Sequence, residues 1–336
     1  MNNVPFRCGL DIAKQIFAVH AVNSNEKPVF QKLIPRRKVL SFFAQLPPCI
    51  IGIEACGGSH YWARELRKLG HEIKLISARF VIPYRRKAKN DLNDAEAICE
   101  AISRPSMNYV SIKSEEQQTI LMAHRIRFQS IATRTALTNQ IHGHLLEFGI
   151  VVSKGRKKMR RDLHEVLERE GIPALLCELI HDLLAAVDRE EERIEALDRR
   201  IEQWVKRNEI ASKLLQLDGV GSLTASAIVA TAGDAKVFKN SRQFAAWLGL
   251  VPRQHSSGGK SRLGKITKAG DRYLRTLLIH GSRTVLLMSK NGRGKHSDWV
   301  ESLRERRPDN VVAVAYAAKQ ARMAWAIMMG KEAEAV

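Results

Sequence analysis

The chain has 336 residues, enough for about two domains with cores of their own. Its 55 Lys and Arg against 35 Asp and Glu leave a formal net charge of +20, which excludes a small-molecule enzyme with no polyanionic partner and points to nucleic acid rather than an anionic membrane surface. At 45% hydrophobic residues the charge is displayed on folded structure, not on a disordered tail.

The first ~110 residues alternate strand and helix patterns. "FRCGLDIA", "IFAVHAVN" and "PVFQKLI" read as three sequential strands, and so as an antiparallel meander. "CIIGIEA" reads as a buried strand, and Ser59 as the N-cap of a helix "HYWARELRKLG" that ends at Gly70. "HEIKLIS" is a further strand, and "NDLNDAEAICEAIS" a helix that stops before Pro105.

From Glu115 to about Phe148 the pattern is helical, with apolar residues at Leu121, Phe128, Ile131, Ile141, Leu145 and Phe148. "SKGRKKMRR" reads as a basic linker, and a second long helix spans about Ala174 to Arg207. Its heptad positions hold Ile180, Leu183, Val187, Ile194, Leu197, Ile201 and Trp204, with Glu190 breaking the seam. Two readings stand: an oligomerisation arm, or a helix pair packed within one chain.

"LLQLDGVGSLTASAIVATAG" reads as helix, Gly-Val-Gly turn, helix. Gly219 and Gly221 either offer hairpin amides to a phosphate or make a tight helix–helix turn. Residues 236–307 hold 17 Lys and Arg against 4 Asp and Glu, a net of +13. The late apolar stretch "VVAVAYAAKQARMAWAIMMG" carries Lys319 and Arg322, so a packed helix is expected rather than a membrane span. Five cysteines with no C-x-x-C pair, and a start with no apolar h-region, fit a reducing cytoplasm.

Four acids stand out. Asp11 lies in the apolar first strand and Glu54 ends the fourth; a carboxylate there is costly unless paired or metal-bound. Asp91 and Asp94 are three apart and share a helix face. If the first and fourth strands are adjacent, the four carboxylates can form a hard oxygen cage for Mg²⁺ or Mn²⁺, with one or two ions holding a scissile phosphate. The basic run Arg85, Arg86, Lys87 and Lys89 would then steer a backbone onto the acids. Each acid also has an ordinary reading: Asp11 as a buried hydrogen-bonding residue, Glu54 as a loop cap, Asp91 as a helix N-cap, Asp94 as a first-turn acid.

At these residues the chain resembles a known family. Asp11, Glu54 and "DLNDA" are similar to the four-acid set of RuvC-like, RNase H-fold nucleases. More closely, "GLDIAK", "GIEACGGSHYWARELRKLGHEIKLI" and "KNDLNDAEAICEA" resemble the N-terminal domain of DEDD transposases of the insertion-sequence-110 family. The resemblance implies that Asp11, Glu54, Asp91 and Asp94 carry the metal site.

The segment "WLGLVPRQHSSGGKSRLGKITKAGDRYLR" places Ser256 and Ser257 before two glycines, followed by Lys260, Arg262, Lys265, Lys268, Arg272 and Arg275. From spacing alone this is either a phosphate-gripping loop or a nucleophilic serine among stabilising cations. It resembles the C-terminal domain of the same family, especially its 1111 subgroup. That likeness implies Ser257 as recombination nucleophile, with Ser256 as the fallback, and a composite site in which the metal site cooperates across subunits. Members of that family choose their DNA with an RNA from the element, so a guide RNA and a homo-oligomer, dimer or tetramer, are implied partners.

The expectation is therefore an α/β plus α chain: an RNase H-like (RuvC-like) mixed-sheet domain over residues 1–112, a helical coiled-coil arm over 113–208, and a mostly α-helical domain over 209–336 with a helix-hairpin-helix-like element. Its function would be DNA transposition or site-specific recombination in a bacterial, nucleoid-associated setting. The alternatives are a purely hydrolytic junction nuclease and a non-enzymatic nucleic-acid scaffold.

Overall fold

A computed structural model describes residues 4–85, 90–168, 171–256, 262–292 and 297–332. The chain divides into two compact units, residues 1–115 with 232–237, and residues 116–231 with 238–336.

The first unit is built on a six-stranded sheet: β1 Arg7–Asp11, β2 Ile16–Val22, β3 Pro28–Pro35, β4 Ile50–Glu54, β5 Glu72–Ile76 and β6 Tyr109–Val110. The spatial order is β3-β2-β1-β4-β5-β6. The first three strands form the expected antiparallel meander, and β1 pairs parallel with β4, Gly9 opposite Gly52 and Leu10 opposite Ile53.

Side chains alternate along each strand, which divides the sheet into two faces. Cys8, Leu10, Ile51 and Ile53 join one core with residues of helices α1 (Val39–Ala44) and α2 (Ser59–Lys68), among them Val39, Phe43, Trp62 and Leu66. Gly9 and Gly52 belong to the other face. There, beyond the short α3 (Ala78–Val81), lies α4 (Asp91–Ala101). A Cβ on Gly9 would stand 2.0 Å from the Ala95 carbonyl oxygen, and one on Gly52 would stand 2.7 Å from Ile102. Both glycines are therefore required for α4 to lie this close to the sheet.

Three local expectations are corrected. Ser59 is the first residue of α2, not its cap; Gly58 takes that place with φ +89°, and Ser59 Oγ donates back to the Cys56 carbonyl at 2.8 Å. Asp91 does not cap α4, because the Asn90 side chain accepts from the Asn93 amide at 2.8 Å. The short helix α1 also lies where no element was expected.

In the second unit, α5 (Glu115–Glu147), α6 (Arg156–Leu167) and α7 (Ala174–Arg207) pack together. The expected basic linker is in fact α6, because its cations alternate with Met159, Leu163 and Val166, all buried. Met159 and Leu163 meet Ile141 and Leu145 of α5 and Leu176, Ile180 and Val187 of α7. Arg127 pairs with Asp198 at 2.5 Å, and Arg160 pairs with Asp188. The apolar stripe of α7 is thus covered within the chain, as the helix-pair reading requires. Of the apolar residues in that helical pattern, Phe128 of α5 and Phe148 just beyond it are exposed.

Beyond them lie α8 (Glu209–Leu214), α9 (Ser222–Ala232), α10 (Ser241–Trp247), the hairpin β7 (Pro252–Gln254) and β8 (Leu263–Ile266), then α11 (Arg272–Ser289), α12 (Ser297–Arg304) and α13 (Asp309–Met328). Helix α13 is the packed helix expected from its sequence, with Tyr316, Gln320 and Ala324 fully buried. Among the described residues no helix is long and apolar enough to cross a membrane.

Candidate active site

Two parallel strands end at the same edge of the first unit's sheet. One step beyond the Leu10–Ile53 pair stand Asp11 and Glu54, the last residues of β1 and β4. By strand alternation both share a face with Gly9 and Gly52, the face on which α4 lies. Helix α4 begins at Asp91, so Asp91 and Asp94 occupy its first turn. The carboxyl ends of parallel strands are where open α/β sheets place their ligands.

The electrostatics of Asp11 register this convergence. Its carboxyl is pushed up to about 6, first by burial, then by Asp94, Asp91 and Glu54, with Arg85 opposing. The neighbouring thiol of Cys56 feels the same field: burial, then Glu54 and Asp11, lift it above its usual range. Asp94 is largely buried and accepts a hydrogen bond from Arg85 Nε at 2.5 Å. Arg85, expected to steer a polyanion, is thus engaged by one of the acids. Arg86, Lys87 and Lys89 lie outside the described residues.

The donor set, four carboxylates whose mutual repulsion falls on Asp11, has the chemistry that suits a hard divalent cation. Among the described residues no three His, Cys, Asp or Glu side chains stand close enough together to enclose one. The acids are electrostatic neighbours, and Asp94 is turned to its guanidinium partner.

In the second unit the serine segment is flanked by β7 and β8. Their pairing joins its two described ends, with the His255 amide donating to the Arg262 carbonyl at 2.9 Å. Ser256 is exposed and its Oγ accepts from Gln254 Nε2 at 2.9 Å. Ser257 and Lys260 lie outside the described residues. Arg262, Lys265, Lys268 and Arg272 are exposed, as a nucleic-acid surface requires.

Two expected nucleic-acid contacts are corrected. Arg275 is buried and donates to the Leu248 and Gly270 carbonyls at 3.1 and 3.2 Å, which makes it a structural cap on α10. Gly219 has φ +79°, and a Cβ there would stand 2.5 Å from the Gly281 carbonyl oxygen on α11. The Gly219 turn is a close helix contact, braced by Gln320, which donates to the Asp218 carbonyl at 2.6 Å and accepts from Ser282 at 2.7 Å. Gly221 is exposed with open space at its Cα.

Sequence reasoning missed Gly9, Gly52 and His124. A glycine inside an apolar strand is a signal for close backbone approach, and both strands carry one. His124 of α5 is buried, with Nε2 2.9 Å from Ser226 Oγ and Nδ1 3.0 Å from the Tyr273 hydroxyl. No sequence spacing connects these three residues.

The family model described as "Transposase", of the DEDD type of the IS110 group, matches residues 8–150. The model described as "Transposase IS116/IS110/IS902 family" matches residues 211–297. The chain is 50% identical to a "Probable family 20 transposase" of Pseudomonas aeruginosa, over 96% of this chain and 96% of that one. It is 40% identical to the transposase for insertion sequence element IS1328 of Yersinia enterocolitica, over 95% of each. To the transposase for insertion sequence element IS1111A of Coxiella burnetii it is 38% identical, over 96% of this chain and 90% of the relative.

Proposed function

As this chain belongs to the IS116/IS110/IS902 family of insertion-sequence transposases, enzymes that cut and rejoin DNA, we propose that it does so with a carboxylate metal site, Asp11, Glu54, Asp91 and Asp94, and a serine nucleophile, Ser257. What supports the first half is that Asp11 and Glu54 end adjacent parallel strands on the face where α4 starts with Asp91 and Asp94, and that burial and the other three acids raise the carboxyl of Asp11. Mg²⁺ or Mn²⁺, when bound, supplies a Lewis acid for a phosphodiester oxygen. Asp94 would leave Arg85 to take part, and Gly9 and Gly52 let α4 lie close against the sheet.

Ser257 Oγ attacks phosphorus, its proton passes to solvent, and the bond from phosphorus to the departing DNA oxygen breaks. The phosphoserine ester conserves the bond energy, and attack by a DNA hydroxyl reverses the step and rejoins the strand. Exposed Arg262, Lys265, Lys268 and Arg272 grip the phosphates on either side. The basic surface also suits a guide RNA, and assembly as a homo-oligomer completes the reading; both rest on the family likeness.

The test is strand cleavage by the purified chain on element-end DNA. Asp11→Asn and excess EDTA each abolish cutting, while DNA binding persists. Cutting at the wild-type rate in either case defeats the metal site. A purely hydrolytic nuclease would cut without ever leaving protein attached to DNA.

A further inference from the structure

Beside the carboxylate edge lies a groove of about 770 Å³ that the reaction above does not use. Three segments of the first unit form it: the β1–β2 turn with Lys14, Gln15 and Ile16, the corner between β3 and α1 with Arg36 and Arg37, and the start of α2 with Tyr61 and Trp62. Lys14 is three residues beyond Asp11, and Tyr61 is seven beyond Glu54. The groove therefore opens at the end of the sheet that carries the acids.

Its wall is aromatic and its rim is basic. Trp62 is buried and packs edge-on against Phe17, with centroids 4.9 Å apart, and against Tyr61 at 5.2 Å. The Arg36 guanidinium stands over Trp62, 5.0 Å from the ring centroid, and its amide is tied to the Gln15 carbonyl at 2.7 Å. Tyr61 is held in place by Trp62 yet is 42% exposed, and Ile16 beside it is 48% exposed. Lys14 and Arg37 are exposed and have no acidic partner among the described residues. No acid lines the groove.

We propose that this groove receives an unpaired nucleotide of the DNA strand being cut, its base stacked on Tyr61 and its phosphates held by Lys14 and Arg37. A rigid, half-exposed aromatic ring gives a base a π-face, and the outer plane of a stacked guanidinium gives it a second. Two unpaired cations on the rim suit the flanking phosphates. The volume is that of a small-ligand cleft and suits a single base. A protein partner would meet a rim of one charge sign with no acid to answer its own cations. The choice of DNA rests on the proposed cutting role of the neighbouring acids, and the experiment separates the two.

The full chain is titrated with a short oligodeoxynucleotide carrying 2-aminopurine, and with a duplex of the same sequence. Wild type quenches the 2-aminopurine of the single strand. Tyr61→Ala abolishes the quench and weakens single-strand binding about fivefold or more, with duplex affinity unchanged. Tyr61→Phe keeps both, since it retains the ring. Lys14→Glu combined with Arg37→Glu weakens single-strand binding and flattens its salt dependence. The proposal is overturned if Tyr61→Ala binds and quenches like wild type, if it weakens duplex and single strand equally, or if an RNA strand of the same sequence binds more tightly than DNA. Asp11→Asn, which keeps the groove, binds and quenches normally; if it also still cuts, the metal-site reading falls while the groove stands.

Discussion

Arg85 donates from Nε to Asp94 Oδ1 at 2.5 Å, so the first cation of the basic run neutralises a candidate metal ligand. For Asp94 to hold a metal, this pair must open. Removing the guanidinium eliminates that competition and leaves the carboxylates more repulsive toward one another. Arg85→Gln is expected to lower the unfolding temperature without metal and to tighten Mg²⁺ binding about fivefold, an energy in the range of a part-exposed ion pair. Thermal unfolding with and without Mg²⁺ measures both. An Mg²⁺ response equal to that of wild type would remove Asp94 from the ligand set.

Gly9 tests whether the approach of α4 builds the site. A Cβ placed there meets the Ala95 carbonyl oxygen at 2.0 Å, which a side-chain rotation cannot relieve. Gly9→Ala should cost about 1–3 kcal/mol in denaturant unfolding, the range for overpacking. It should also reduce cutting in the molecules that remain folded, because Asp91 and Asp94 move with the helix. A stable Gly9→Ala protein with full activity would show that the spacing of α4 is immaterial.

Ser257→Ala is expected to abolish SDS-resistant protein–DNA adducts and strand joining while leaving DNA affinity within about twofold, since a hydroxyl adds little to a phosphate grip. Ser256→Ala should retain the adduct. Denaturing gels with end-labelled DNA distinguish them, and adduct formation by Ser257→Ala excludes that serine as the attacking group.

His124 is held neutral, pushed down to about 4 by burial first and then by Arg127, with Asp198 opposing. In the unfolded chain it titrates near 6.5. The folded state therefore binds fewer protons between these values, and stability falls as pH drops from about 6.5 toward 4. The loss attributable to His124 is up to about 3 kcal/mol. His124→Gln removes this contribution, so its stability should depend less on pH across the same window than that of wild type. Parallel stability–pH curves for the two proteins would show that the residue does not titrate in this way.

The C-terminal cations should separate into two kinds. Arg275→Ala removes two carbonyl contacts from a buried guanidinium and should lower stability by about 2 kcal/mol or more. Arg262→Ala should leave stability alone and reduce the salt slope of DNA binding by about one. If Arg275→Ala instead changed only the salt slope, its burial would be irrelevant to its role.

Much of the first unit was legible because strand alternation and helix periodicity are local properties. The three-strand meander and the strand ending in Glu54 follow from patterns of apolar residues and turns, whereas the pairing of the first and fourth strands stood only as a condition until the sheet order was seen. The type and spacing of Asp91 and Asp94 were legible for the same reason. The basic run that opens α6 was misread because a charged helix face and a linker look alike until Met159 and Leu163 meet α5 and α7. Arg275 was misread, and the two readings of Gly219 stayed open, because composition shows that a group can meet a phosphate, not that a neighbouring part of the chain already occupies it.

Taken alone, the sequence determined that this chain is a basic α/β plus α-helical protein, with four acids and a Ser-Gly segment in the order that the family uses. Residue type and periodicity encode that much. Tertiary structure decided which charges are available: Arg85 faces Asp94, Arg275 faces carbonyls, and Lys14 and Arg37 face an open groove. Coulomb and hydrogen-bond energies depend on distances between residues far apart in the chain, and those distances exist only once α4 has settled onto Gly9 and Gly52.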